Sequence, residues 1–172
     1  MSKRIYHQNA ENHVISEDEV KGYVIERFME VKRTKRIKNL VNFQAANKYM
    51  IMVHSQEELK KLGNIVASYK KIPFSEILCD YQKHLLKALD MMPTKKTHSN
   101  VIMHIFGHFS KDLTHHEKII FFQFLENYKN DKITIGKILA EINSIIFKVN
   151  NVYLTSQTYF LLYAEIQPET YS

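Results

Sequence analysis

An all-α fold, a compact bundle of six to seven helices in a single domain, is what this sequence predicts. Three observations point there. Only four Gly and three Pro occur in 172 residues, too little turn chemistry for a fold of many short strands. Apolar residues recur three and four apart along most of the chain, the period of one helix face. Ser/Thr-x-x-Glu boxes mark helix starts at Ser16 with Glu19, Ser55 with Glu58 and Thr114 with Glu117. At 45% hydrophobic and 24% charged residues, the composition is globular. The length suits one domain that buries a continuous core.

Residues 1–15 lack a helical period and predict a flexible arm, which leaves 16–172 as the helical domain. After the Ser16 box, Val20, Tyr23, Val24, Phe28 and Val31 follow at helical spacing. The pattern enters KRTKRIK, Lys32 to Lys38, and resumes through Leu40, Val41 and Phe43 to Val53. The second box starts a helix over about 56–70. Pro73 suits the start of the next, with Ile77, Leu78, Tyr81, Leu85, Leu86 and Leu89 on its buried side. Pro93 ends that pattern by disfavouring helix in the residue before it. A helix over about 98–112 carries THSNVIMHIFGH, and the third box starts one over 115–129. Residues 134–149 are helical again, with Ile135, Ile138, Leu139, Ile142, Ile145 and Ile146 apolar. Val152 to Ile166, rich in β-branched and aromatic residues, is assigned as a last helix.

The formal charge of +6 is uneven. Residues 1–100 hold 18 Lys and Arg against 11 Asp and Glu, and the remainder holds 6 against 7. Basicity confined to one half points to a polyanionic partner, although a charge run is also what a solvated helix face looks like. Cys79 is the single cysteine, so this chain alone forms no disulfide and no cysteine-based zinc or iron–sulfur site. Inside an apolar helical pattern, Cys79 is expected to be a buried small hydrophobe. The N-terminal MSKRIYHQNAENH is polar and no window approaches eighteen apolar residues. No membrane span is expected, and the cytoplasm is the expected setting.

His104 and His108, four apart, share a helix face with Asn100. Such a pair can reach one metal ion, but the zinc helix pattern needs a glutamate after the first histidine, where Ile105 stands. Neither a metal nor another cofactor is expected. No phosphate-cradling glycine loop occurs. Gly63 and Gly107 lie within helical patterns and are expected where helices approach closely, with close approach to a ligand as the alternative. The basic run Lys32, Arg33, Lys35, Arg36 and Lys38, with Lys95 and Lys96, suits salt-dependent phosphate binding. Histidine, asparagine and tyrosine beside such charge can stack on or hydrogen-bond to unpaired bases.

KYMIMVHS (Lys48 to Ser55), then LGNIVA (Leu62 to Ala67), resembles the "H-K-x-x-L-M-A-H-S … L-G-x-L-V-A" signature of the YbgA-like domain family. THSNVIMHIFGHF resembles that family's "R-H-x-N-V-L-x-H-I-x-G-Y-F", and YLTSQTY (Tyr153 to Tyr159) agrees with it too. The resemblance spans about residues 20–160 in collinear order. Two departures stand out: His108 replaces an aromatic residue, and FLLYAEI replaces a proline-containing segment. The family is a domain of unknown function, found alone or fused behind a TudS-like desulfidase domain that carries an iron–sulfur cluster. The resemblance thus implies a role beside removal of sulfur from thiolated uracil or thiouridine in tRNA, with this domain holding the RNA. Carried over by position, the family-motif residues are His54, Ser55, His98, Asn100, His104, Gln157 and Tyr159.

Each of these also has a structural explanation. Ser55 suits a helix cap, His54 a helix C-terminus, Asn100 a cap or brace and His104 a satisfied core histidine. Gln157 and Tyr159 suit buried hydrogen-bond partners. The leading expectation is an RNA-binding accessory module, with tRNA as partner and a desulfidase protein as a possible second one. In it the basic residues hold phosphates while His98, Asn100 and His104 contact a base. The alternatives are a small histidine-dependent enzyme acting on modified nucleosides, in which His54, His98 and His104 converge, and a protein-interaction bundle with an exposed apolar patch.

Overall fold

The computed structural model describes residues 15–165. The arm expected over residues 1–15 lies outside them apart from Ile15, which packs against the core. The described chain is helical throughout: α1 (Glu17–Thr34), α2 (Ile37–Ala46), α3 (Lys48–His54), α4 (Gln56–Ala67), α5 (Phe74–Leu89), α6 (Lys95–Phe109), α7 (His115–Lys129), α8 (Ile135–Lys148), α9 (Val152–Thr155) and α10 (Thr158–Tyr163), with a 3-10 turn at Ser110–Asp112 after α6. The all-α expectation holds, but ten helices replace six to seven. No helix among the described residues is long and apolar enough to cross a membrane.

The extra helices arise where a long apolar pattern is cut without proline or glycine. At Lys35 the backbone turns left-handed (φ 54°), which separates α1 from α2. Asn47 separates α2 from α3, its buried side chain donating to the Phe43 carbonyl at 2.9 Å. The last expected helix divides at Ser156–Gln157 into α9 and α10.

Helix α3 is the centre. Every residue from Tyr49 to His54 is buried, and α4, α5, α6 and α10 all pack against it. A short helix that is apolar on all sides belongs inside a core. Helix α1 runs antiparallel to α5, since Lys21 pairs with Asp90 and Lys32 donates to Gln82 at 2.9 Å. Between them Phe28 stacks on Tyr81 (centroids 5.5 Å, 17°) and Phe43 meets Tyr81 edge-on. Helix α8 buries Ile138, Leu139, Ile142, Ile145 and Ile146, as its period indicated.

The expectation of close helix approach at Gly63 and Gly107 fails. A Cβ on Gly107 would meet nothing within 4 Å, and one on Gly63 would make only an ordinary contact of 3.9 Å with Gln44. Neither position is a close helix approach.

Gln157 joins distant parts of the chain. Its amide Nε2 donates to the Ala45 carbonyl at 2.7 Å, and its Oε1 accepts from the Tyr49 backbone N–H at 3.4 Å. At 1% exposure it has no water to replace either bond. Gln157→Ala is expected to retain helix content and lose about 1–3 kcal/mol of stability, the cost of buried polar groups left unpaired. Urea unfolding followed by circular dichroism measures this, and an unchanged midpoint would contradict it.

Candidate functional site

The family-motif side chains divide between a buried polar network and an exposed strip. Thr94 caps α6 reciprocally with Thr97, so the helix begins at Lys95. That places His98 one turn in, on the inward face, with 7% exposure. Its Nδ1 lies 2.6 Å from the Tyr159 hydroxyl, and its ring meets Tyr163 edge-on at 5.1 Å. Burial pushes His98 down to about 4, against the upward pull of Glu17 and with added repulsion from His54. Burial also pushes the Tyr159 phenol well up. The Nδ1–hydroxyl hydrogen bond therefore joins an uncharged imidazole to an uncharged phenol.

His54 is 3% exposed. Its Nδ1 donates to the Met50 carbonyl at 2.8 Å, and its Nε2 faces Glu17 Oε2 at 3.4 Å. Tyr163 donates to the same carboxylate, 2.9 Å from each oxygen. Burial pushes Glu17 up, but the hydrogen bonds from His54 and Tyr163 outweigh it and hold the carboxyl below its ordinary value. Helices α1, α3, α6 and α10 thus meet around Glu17, a residue that no motif in the sequence singles out.

This geometry corrects two expectations. His98 is not a surface contact for a base, because its ring is enclosed and bonded. His54 and His98 do converge, but His104 is on the exposed face of α6. The three histidines therefore do not share one pocket.

Ser55 caps α4, accepting from the Glu58 N–H at 3.1 Å. The Glu58 carboxylate does not reach back as a capping box would. It is 3% exposed, accepts from His84 Nδ1 at 2.6 Å, and lies 3.4 Å from both Lys61 and Lys87. Burial pushes Glu58 up, yet the His84 and Lys61 hydrogen bonds hold it below the usual carboxylate range. The His84–Lys87 spacing on α5 was the available signal for this cluster.

On the exposed side of α6, Asn100 donates to Gln56 Oε1 at 3.2 Å. His104 follows one turn later, and His108 lies against Tyr153 and Asn151. Among the described residues no group of three His, Cys, Asp or Glu could hold a metal ion.

The basic run forms a corner. The left-handed turn at Lys35 carries the chain from α1 into α2, and Lys32, Arg33, Lys35, Arg36 and Lys38 are all exposed around it. Beside it, between α1 and α5, a groove of about 420 Å³ is lined by Lys32, Ser75, Cys79, Gln82, Lys83 and Leu86. Cys79 is exposed, not buried as expected, because it lies off the Ile77–Tyr81–Leu85 face. Lys95 and Lys96 belong to the opposite end. They follow Asp90, which pairs with Lys21 at the start of α1, and Lys95 itself pairs with Asp131. The structure thus separates two basic groups that the sequence pattern placed together for phosphate binding.

A family described as "Protein of unknown function (DUF1722)" matches residues 48–164. The Escherichia coli (strain K12) protein described as "Uncharacterized protein YbgA" is similar, 23% identical over 128 residues, covering 74% of this chain and 76% of the relative. No solved structure matches. The family match includes His54, Ser55, His98, Asn100, His104, Gln157 and Tyr159, and begins after the basic corner and Glu17.

The buried imidazole makes stability pH-dependent. An unfolded histidine titrates near 6.5, the folded His98 near about 4. Between those values the unfolded chain holds a proton that the folded chain refuses. Stability is therefore complete above pH 6.5 and falls by about 3 kcal/mol as pH drops through this window. Glu17, depressed in the fold, adds a further loss only below its ordinary 4.5. Urea midpoints from pH 7 to 4.5 are expected to fall, and His98→Gln to flatten that slope. An equal slope in the variant would assign the effect elsewhere.

Proposed function

We propose that this chain, which belongs to the DUF1722 family, is a helical RNA-binding module that engages tRNA as an accessory to thiolated-nucleotide metabolism. The observation carrying this reading is the corner between α1 and α2, where Lys32, Arg33, Lys35, Arg36 and Lys38 are exposed together beside a groove that adds Lys83. Phosphates need only clustered positive charge, and each one neutralised releases counterions. Asn100 and His104, exposed on α6, provide hydrogen-bonding groups within the matched segment. The resemblance to domains fused behind desulfidases supports tRNA as the RNA. With Cys79 as its single cysteine, this chain would hold RNA without building an iron–sulfur cluster of its own.

The corner precedes the segment matched to the family, so phosphate binding there would be a property of this chain. Its test is a mobility-shift titration with tRNA across a salt series. Affinity is expected to fall linearly on logarithmic axes. Lys35→Ala with Arg36→Ala is expected to lower the slope by roughly two, about one per phosphate contact. Absence of binding at low salt, or binding indifferent to salt, would remove the proposal.

A protein-docking role is the second reading. Met103, Ile119 and Phe122 are 40%, 43% and 44% exposed, and Phe122 packs on Phe106 at 4.8 Å. They form an apolar face on α6 and α7 that a desulfidase partner could cover. Loss of co-elution with such a partner on Phe122→Ser would favour this role.

A further inference from the structure

We propose that the stacked pair His108 and Tyr153 is a platform for an unpaired nucleic-acid base, an inference that rests on the RNA-binding reading. The rings lie 5.2 Å apart at 24°, joining the last turn of α6 to α9. His108 is exposed and Tyr153 retains 36% exposure, so the pair is accessible at the surface.

The arrangement is held from beneath. Asn150 adopts a left-handed conformation (φ 58°), which asparagine tolerates better than most residues. It turns the chain sharply out of α8. Asn151 then caps α9 by accepting from the Leu154 N–H at 3.1 Å, and Leu154 is fully buried. The Asn151 amide also donates to His108 Nδ1 at 3.3 Å. One residue thus orients both rings, so the ordering that stacking requires is already in place.

Polar and charged groups flank the pair alongside Phe147 and Val152, which are 72% and 74% exposed. His104 and Asn100 continue the exposed strip one and two turns back along α6, and Asn100 is tied to Gln56. Lys111 and Lys148, both exposed, follow His108 and precede Asn151 by three residues each. A flat aromatic face with amide and imidazole donors and nearby cations matches the three parts of a nucleotide: ring, base edge and phosphate. A duplex hides its base faces, so the occupant is an unpaired nucleotide.

The platform is also placed to act with the basic corner. Gln157, four residues after Tyr153, bonds to Ala45 near the end of α2 and to the Tyr49 backbone at the start of α3. Helix α2 spans Ile37–Ala46, about 15 Å at 1.5 Å per residue. The corner lies at one end of α2 and the α9 segment at the other, a gap that a few single-stranded nucleotides cross.

The test compares an unstructured oligouridine with a fully paired duplex of equal length at low salt. Tyr153→Ala is expected to weaken single-strand binding about tenfold, leave duplex binding and the salt slope unchanged, and be rescued by Tyr153→Phe. Photo-crosslinking of a 4-thiouridine oligomer to the unaltered chain is expected to label Tyr153 or His108, which keeps the test valid should Tyr153→Ala unfold. Wild-type single-strand binding by Tyr153→Ala, or crosslinks only at other residues, would overturn the platform while leaving RNA binding intact. Failure of the unaltered chain to bind either nucleic acid would overturn both.

Discussion

Helix α3 presents no polar side to water, and the bundle is organised around that constraint. Tyr49 to Val53 are buried all round, so neighbouring helices must enclose the helix, and both of its ends come to lie inside the protein. Buried helix ends leave backbone groups without partners. At the N-terminal end Gln157 supplies an acceptor to Tyr49 and a donor to the preceding turn. At the C-terminal end the His54 ring turns back onto Met50 and forward onto Glu17. The Glu17 carboxylate in turn needs the Tyr163 hydroxyl, because an ionised group taken out of water is costly unless paired. Satisfying one central helix thereby links the first helix, the last helix and α6.

This accounts for most of the family-motif side chains. His54, Ser55, His98, Gln157 and Tyr159 all lie inside, engaged with backbone or with one another. Their chemistry is spent on bracing the fold. What faces a partner is what the brace left outside: the Asn100–His104–His108 side of α6, and the basic corner. The corner exists because the backbone turns at Lys35, spreading five cations over two helix ends instead of stacking them along one helix. Mutual repulsion is lower in that arrangement, and the charge is presented over a wider surface.

The sequence was most legible where the signal was local. The Ser16, Ser55 and Thr114 caps placed the starts of α1, α4 and α7, and the isoleucine period placed α8. The start of α6 was missed because Thr97, in place of Glu or Gln, closes the box with Thr94. That shift matters: it moves the expected start of α6 back to Lys95, so that His98 lies within its first turn and faces inward. The breaks at Lys35 and Asn47 carry no proline or glycine, and a lysine in left-handed backbone is not something composition announces. Glu58 was read as half of a cap, whereas tertiary packing turned its carboxylate toward α5.

The sequence by itself determined the helical class, most helix starts and the single strongly basic segment. These follow from periodicity and caps, interactions that reach no more than four residues along the chain. Only the tertiary structure decided which polar residues became brace and which became surface. His98 meets Tyr159 across 61 positions, Gln157 meets Ala45 across 112 and Glu17 meets Tyr163 across 146. Such pairings depend on which helix faces pack together, and only the assembled core settles that.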